Sequence, residues 1–356
     1  MADEQAREQD ETDTASEGAA PFALWMDFDE DLDGGLERAG DVRRESDAQD
    51  YRIWTRAYDE QVAATSVARA AELLELRERL DRLVLAQGMN VARLARALRA
   101  MLARPQAGDW ADGQEEGLID GRRLARLVSA PQDHRVFRWP RQQPVADCQV
   151  SFLVDCSGSM KAHVSTLAVL VDLFGRAFEM AGIPFELLGF TTRAWNGGRA
   201  QRDWEAAGRP DEPGRLAEAR HIVFKSAQER WRQARPAVAA LLKPDLYRKD
   251  WTVRRSNGPR PDCSRACERR ILVVLSDGSP MESATRRAND NDILDAHLAE
   301  VVARLEAQRR IELRALGVGL DLSRWYRDGL PIDLAGGLDN QTIYAVAALI
   351  GGYPVR

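Results

Sequence analysis

From about residue 147 onward, the sequence predicts an α/β fold: a mainly parallel sheet with helices on both faces. Two observations carry this. Short apolar runs end in polar loops, as Gln149–Val154 does at Asp155 and Ile271–Leu275 does at Ser276-Asp277-Gly278. Between such runs lie stretches with helical periodicity, so strands and helices alternate rather than forming hairpins.

Taken in order, residues 1–50 hold 17 Asp and Glu against 4 Arg, a net of −13. Like charges repel and little apolar surface offsets the entropy of ordering, so a disordered acidic leader is expected. Phe22, Leu24, Trp25, Met26 and Phe28 sit among these acids. They read either as part of a solvated tail or as a short docking segment for a basic partner. Residues 51–135 read as a helical region. Leu73, Leu74, Leu76, Leu80, Leu83 and Val84 recur at helical spacing until Gly88, and Val91, Leu94, Leu98 and Leu102 restart the pattern until Pro105. Leu118–Val128 is expected as a third, shorter helix. Core packing accounts for these stripes.

Within 146–352, strands are expected at Gln149–Val154, Pro184–Phe190, Arg220–Phe224, Ile271–Leu275 and Glu312–Val318. Helices are expected at Val164–Ala181, Ala227–Leu242 and Asp292–Ala307. In such sheets ligands bind beyond the carboxyl ends of the strands, where Asp155 and Asp277 fall.

Composition narrows the function classes. The 356 residues carry a net charge of −6, which averages the acidic leader with a remainder of +7. No apolar run is long enough to span a bilayer. The opening MADEQAREQD has neither the basic nor the apolar region of a secretory signal. Four cysteines (Cys148, Cys156, Cys263, Cys267) do not make a disulfide scaffold, so a reducing cytoplasm is the expected compartment. There are 46 Arg and 4 Lys, a bias read as GC-rich coding. The Arg are scattered among acids rather than clustered with aromatics, which argues against nucleic-acid binding. None of the four Lys lies in G-x-x-x-x-G-K-[ST], so ATP binding through a P-loop is not expected. His134, His163, His221 and His297 form no H-E-x-x-H, and His163 reads as a helix-surface residue. Cys263 and Cys267 lack the second pair that a zinc site needs.

The chemistry lies in Asp155-Cys156-Ser157-Gly158-Ser159, a D-x-S-x-S run at a strand-to-helix junction. Alternate residues of a tight loop can aim one carboxylate and two hydroxyls at a common point, and Gly158 permits the turn. Hard oxygen ligands suit Mg²⁺, which keeps waters and accepts a carboxylate from a partner. Asp277 would add a second carboxylate. The candidate metal ligands are therefore Asp155, Ser157, Ser159 and Asp277, with no catalytic residue assigned. The alternative is that Ser157 or Ser159 caps the following helix.

This pattern resembles the metal-ion-dependent adhesion site of a von Willebrand factor A domain. Tyr51-Arg52-Ile53-Trp54-Thr55-Arg56-Ala57-Tyr58-Asp59-Glu60 and Glu116-Gly117-Leu118-Ile119-Asp120 resemble the helical region before that domain in the third subunit of aerobic cobaltochelatase. Gly189-Phe190-Thr191-Thr192-Arg193-Ala194-Trp195, Phe224-Lys225-Ser226, Ser276-Asp277-Gly278-Ser279-Pro280-Met281 and Trp325-Tyr326-Arg327 are similar to its later motifs. The resemblance covers roughly 51–350, and most of the family's N-terminal portion is missing. It implies a non-ATPase subunit in cobalt insertion into hydrogenobyrinic acid a,c-diamide. The implied partners are a AAA+ ATPase subunit and a large tetrapyrrole-binding chelatase subunit. Two other readings stand: an interaction module for a different AAA+ ATPase, and an inactive paralogue.

Residues 250–267, DWTVRRSNGPRPDCSRAC, do not fit. Family members have there a helix opening on a run like [I/L]-D-G-E-A-L-x-W-A, with a third metal-site loop at its start. This chain has no apolar periodicity over those residues, and Thr191 or Thr192 would be substitute hydroxyls at best. Back-translated with GC-rich codons and shifted by one base, the stretch reads L-D-G-E-A-L-E-W-A-A-S-R-L-L-A-R-L. Two compensating frameshifts, near 249–250 and 267–268, explain this; a divergent loop is the alternative. Under the frameshift reading, the nucleotide sequence contains GAC-GGT-GAG-GCG or its synonyms in the alternate frame, and sequencing the gene checks it. Incompatible codons would end the idea.

Overall fold

The computed structural model describes residues 51–354, except 131, 146, 195–196, 248–268, 279–281 and 310; for 104–109, 126–127 and 140–145 only the backbone is described. The expected leader, the segment 250–267 with Cys263 and Cys267, Trp195 and Ser279-Pro280-Met281 lie outside the described residues.

The chain begins with β1 (Glu60–Ala63), α1 (Ala70–Ala86) and α2 (Val91–Leu102). A small antiparallel sheet follows, from β2 (Arg104–Gln114), β3 (Leu118–Ile119) and β4 (Phe137–Val145) in the order β2-β4-β3, with the short helix α3 (Ala125–Ser129) between the last two. Next come β5 (Cys148–Asp155), α4 (Val164–Ala181), β6 (Phe185–Thr192), α5 (Gly198–Ala206), β7 (Ala219–Lys225) and α6 (Trp231–Ala239). The last elements are β8 (Arg269–Ser276), α7 (Ser283–Ala288), α8 (Ile293–Gln308), β9 (Glu312–Val318), β10 (Gly329–Ile332) and α9 (Asn340–Gly351).

The main sheet has seven strands in the order β1-β7-β6-β5-β8-β9-β10. Every neighbouring pair is parallel except β6 and β7. The mainly parallel α/β sheet expected from the sequence is therefore the observed one. Side chains alternate across it as the two-residue strand period requires. Val150, Phe152 and Val154 on β5, with Ile271, Val273 and Leu275 on β8, pack into a core with α4, α1, α2, α6 and α9. Leu153, Leu272 and Val274 face the other way, onto Leu298, Val301, Val302 and Leu305 of α8.

The region 51–135 differs from the expectation of helices alone. β1 is an edge strand of the main sheet, paired with β7. The helix expected over Leu118–Val128 is not formed as such. Leu118 and Ile119 pair with Arg138 and Phe137 after Gly117 turns the chain at φ +124°, and the helix is confined to Ala125–Ser129. The physical reason is that Gly121 interrupts the apolar spacing, while a long-range strand partner is at hand. Nor are α1 and α2 a separate layer, because Leu73, Leu80, Leu94 and Leu98 belong to the same core as β5 and α4.

An ion network ties α1 to α4. Arg77, nearly buried, donates to Asp172 at 2.5 Å and to Asp81 at 2.7 Å. Arg176 bonds both carboxylates, and Arg235 of α6 reaches Asp81 at 2.8 Å. Burial alone would raise the Asp81 carboxyl, but Arg77, Arg235 and Arg176 hold it at about 2.

Trp231 packs its ring directly over Gly175 of α4, where a Cβ would run into the indole. Ala in place of Gly inside a helix ordinarily stabilises by about 1 kcal/mol. Here the sign reverses: Gly175→Ala is expected to destabilise by about 1–3 kcal/mol through overpacking, as read from the chemical-denaturation midpoint.

Candidate metal centre

Adjacent parallel strands bring the candidate residues together. β5 and β8 pair with Val154 opposite Leu275, so Asp155 and Ser276 emerge side by side at the carboxyl edge of the sheet. On the other flank the Cys156 N–H donates to the Phe190 carbonyl at 2.9 Å, which anchors the start of the loop to β6.

The loop is closed by its own side chains. Asp155 Oδ1 accepts from the Ser157 N–H at 2.8 Å, and Asp155 Oδ2 accepts from the Ser276 hydroxyl at 2.8 Å. Ser157 and Ser159 share a hydrogen bond between their hydroxyls at 3.0 Å, and Ser159 Oγ donates to Asp277 Oδ1 at 2.9 Å. All four candidate ligands thus lie in one connected cluster. Ser276 is a fifth member, legible only as part of the Ser276-Asp277-Gly278 run. Thr191 and Thr192, at the end of β6, make no hydrogen bond to the cluster among the described residues.

The cap alternative does not describe these serines. A 3₁₀ turn, Ser159–His163, separates the loop from α4. Neither that turn nor α4 receives a side-chain cap. The serines spend their hydroxyls on each other and on Asp277 instead. His163 ends this turn and stands half-buried at the start of α4.

Asp155 is fully buried, whereas Ser159 and Asp277 are partly exposed, so the cluster faces solvent on their side. Burial pushes the Asp155 carboxyl well up, and the nearby Asp277 charge adds to it. Burial also raises the Asp277 carboxyl, against the opposing effects of the Ser159 hydroxyl and His163. The two carboxylates, one fully buried and one partly exposed, stand close enough for the Asp277 charge to act on Asp155. Among the described residues no three His, Cys, Asp or Glu side chains gather as a metal-binding group. The donor set is two carboxylates plus serine hydroxyls, all hard oxygens, which fits a small divalent cation with water completing its shell. Burial, then the Asp155 charge, raises the Cys156 thiol well above its ordinary range, and the thiol is directed to the Val154 carbonyl.

No helix among the described residues is long and apolar enough to cross a membrane. Residues 136–352, more than half of the chain, match the family described as cobalamin biosynthesis protein CobT VWA domain.

The raised carboxyls set a sign for pH dependence. With a folded-state value above the unfolded value of about 3.9, Asp155 holds its proton more tightly in the folded protein. Its contribution is fully present at low pH and is lost as pH rises through the folded value. In chelator, the wild type should therefore lose stability relative to Asp155→Asn as pH climbs from about 4 towards neutrality. Paired thermal melts across that range check it.

Proposed function

The chain belongs to the cobalamin biosynthesis CobT family through its VWA domain, and from that premise we propose that it is the non-ATPase subunit of an ATP-dependent cobaltochelatase. The proposed reaction inserts cobalt into hydrogenobyrinic acid a,c-diamide. A AAA+ subunit hydrolyses ATP, and a large chelatase subunit holds the tetrapyrrole. The observation that carries the reading is the convergence of Asp155, Ser157, Ser159 and Asp277 at the carboxyl edge of β5 and β8.

In this reading these four residues hold Mg²⁺. When bound, the cation supplies an open coordination position for an acidic side chain of a partner. Asp155 contributes buried negative charge, held in one orientation by the Ser157 N–H and the Ser276 hydroxyl. Ser159 orients Asp277, and the two serines keep the loop closed over the site. Exposure on the Asp277 side is where a partner carboxylate would approach. The absence of a P-loop sequence is consistent with ATP being handled by another chain.

Asp155→Ala should abolish Mg²⁺-dependent association with the AAA+ subunit and bring cobalt insertion in a reconstituted assay to background. Circular dichroism should show the domain still folded. A variant that assembles and supports insertion like the wild type would refute the assignment. Capture of an unrelated AAA+ ATPase in place of the chelatase subunits would point to an interaction module outside cobalt insertion.

A further inference from the structure

Tyr247 ends the turn Pro244–Tyr247, which packs against the turn Ser159–His163 that follows the candidate metal loop. Its carbonyl oxygen stands 3.7 Å from where a Cβ on Gly158 would lie. The side chain is 2% exposed, and its hydroxyl has no hydrogen-bond partner among the described residues. Burial raises this hydroxyl well above its ordinary range, and Cys156 and then Asp155 add to the shift. A buried hydroxyl without a partner is destabilising and calls for an explanation.

The surroundings narrow what could satisfy it. No hydrogen bond joins it to Asp155, whose oxygens accept from Ser157 and Ser276, or to Cys156, whose thiol is directed to the Val154 carbonyl. Water held by a small divalent cation offers what is missing, because such a cation keeps several waters when protein ligands are few. Building on the metal-centre reading above, we infer that Tyr247 is a further residue of that centre: a positioning residue whose hydroxyl bonds a cation-bound water. It would thereby supply a third side to a site that β5 and β8 build from two. Partners of this outer kind commonly change metal affinity by 10- to 100-fold when removed.

The test is calorimetric titration of MgCl₂ into the full chain and into Tyr247→Phe, with thermal melts of both in chelator. The expected result is a Kd for Mg²⁺ raised about tenfold or more, with the metal-free melting temperature unchanged or higher. A melting temperature that falls in chelator would mean that the hydroxyl has a partner in the metal-free protein, and would overturn the inference. So would a Kd within about twofold of the wild type. Tyr344→Phe removes another unpartnered hydroxyl, on α9, and should leave Mg²⁺ affinity unchanged; an equal loss there also overturns it. If the wild type takes up no Mg²⁺, the metal-centre reading falls with the inference, whereas wild-type binding with an unaltered variant removes Tyr247 alone.

Discussion

The register between β5 and β8 is the constraint on which the rest depends. With Val154 opposite Leu275, the last residues of the two strands are Asp155 and Ser276, and the loops beyond carry Ser157, two residues on, and Asp277, one residue on. A slip of one residue would turn every side chain of a strand to the opposite face. It would exchange Val150, Phe152 and Val154 with residues selected for the other layer. The register is therefore held by apolar packing on both sides of the sheet, up to the residues that directly precede Asp155 and Ser276. The crowding of two carboxylates is tolerated because that core fixes where their backbones must be.

The second support is the clamp on α4. This helix follows the candidate metal loop, and it is pressed on one side by the sheet and on the other by α1 and α2. Arg77 and Arg176 join Asp172 of α4 to Asp81 of α1, and removing one partner from such a buried network would leave an uncompensated charge. The edge is built likewise. Asp59 accepts from Arg215 at 2.5 Å and from the Ala219 N–H at 2.8 Å, and Glu60 accepts from Arg220 at 2.5 Å. The run Tyr51–Glu60 thus serves to lock β1 onto β7 as an added parallel strand. Residues 51–102 complete the domain rather than decorate it.

How far this was legible varies with the kind of signal. β9 and α4 have the bounds expected from the sequence, and β5 and β8 run only a residue or two beyond theirs, because buried strands and an all-round apolar helix leave unambiguous patterns. β1 was invisible: four residues, two of them polar, become a strand only through distant ion pairs with β7. β10 carries Pro331, which an edge position tolerates but which hides a strand from inspection. The small antiparallel sheet shows no buried alternation among its described side chains, since Trp110, Leu118, Ile119 and Trp139 are exposed. In the candidate site, the motif and its place after a strand singled out Asp155, Ser157, Ser159 and Asp277, which the structure brings together. The proposed role of Tyr247 left no such signal, because a lone tyrosine in a short turn gains its meaning only from what surrounds it.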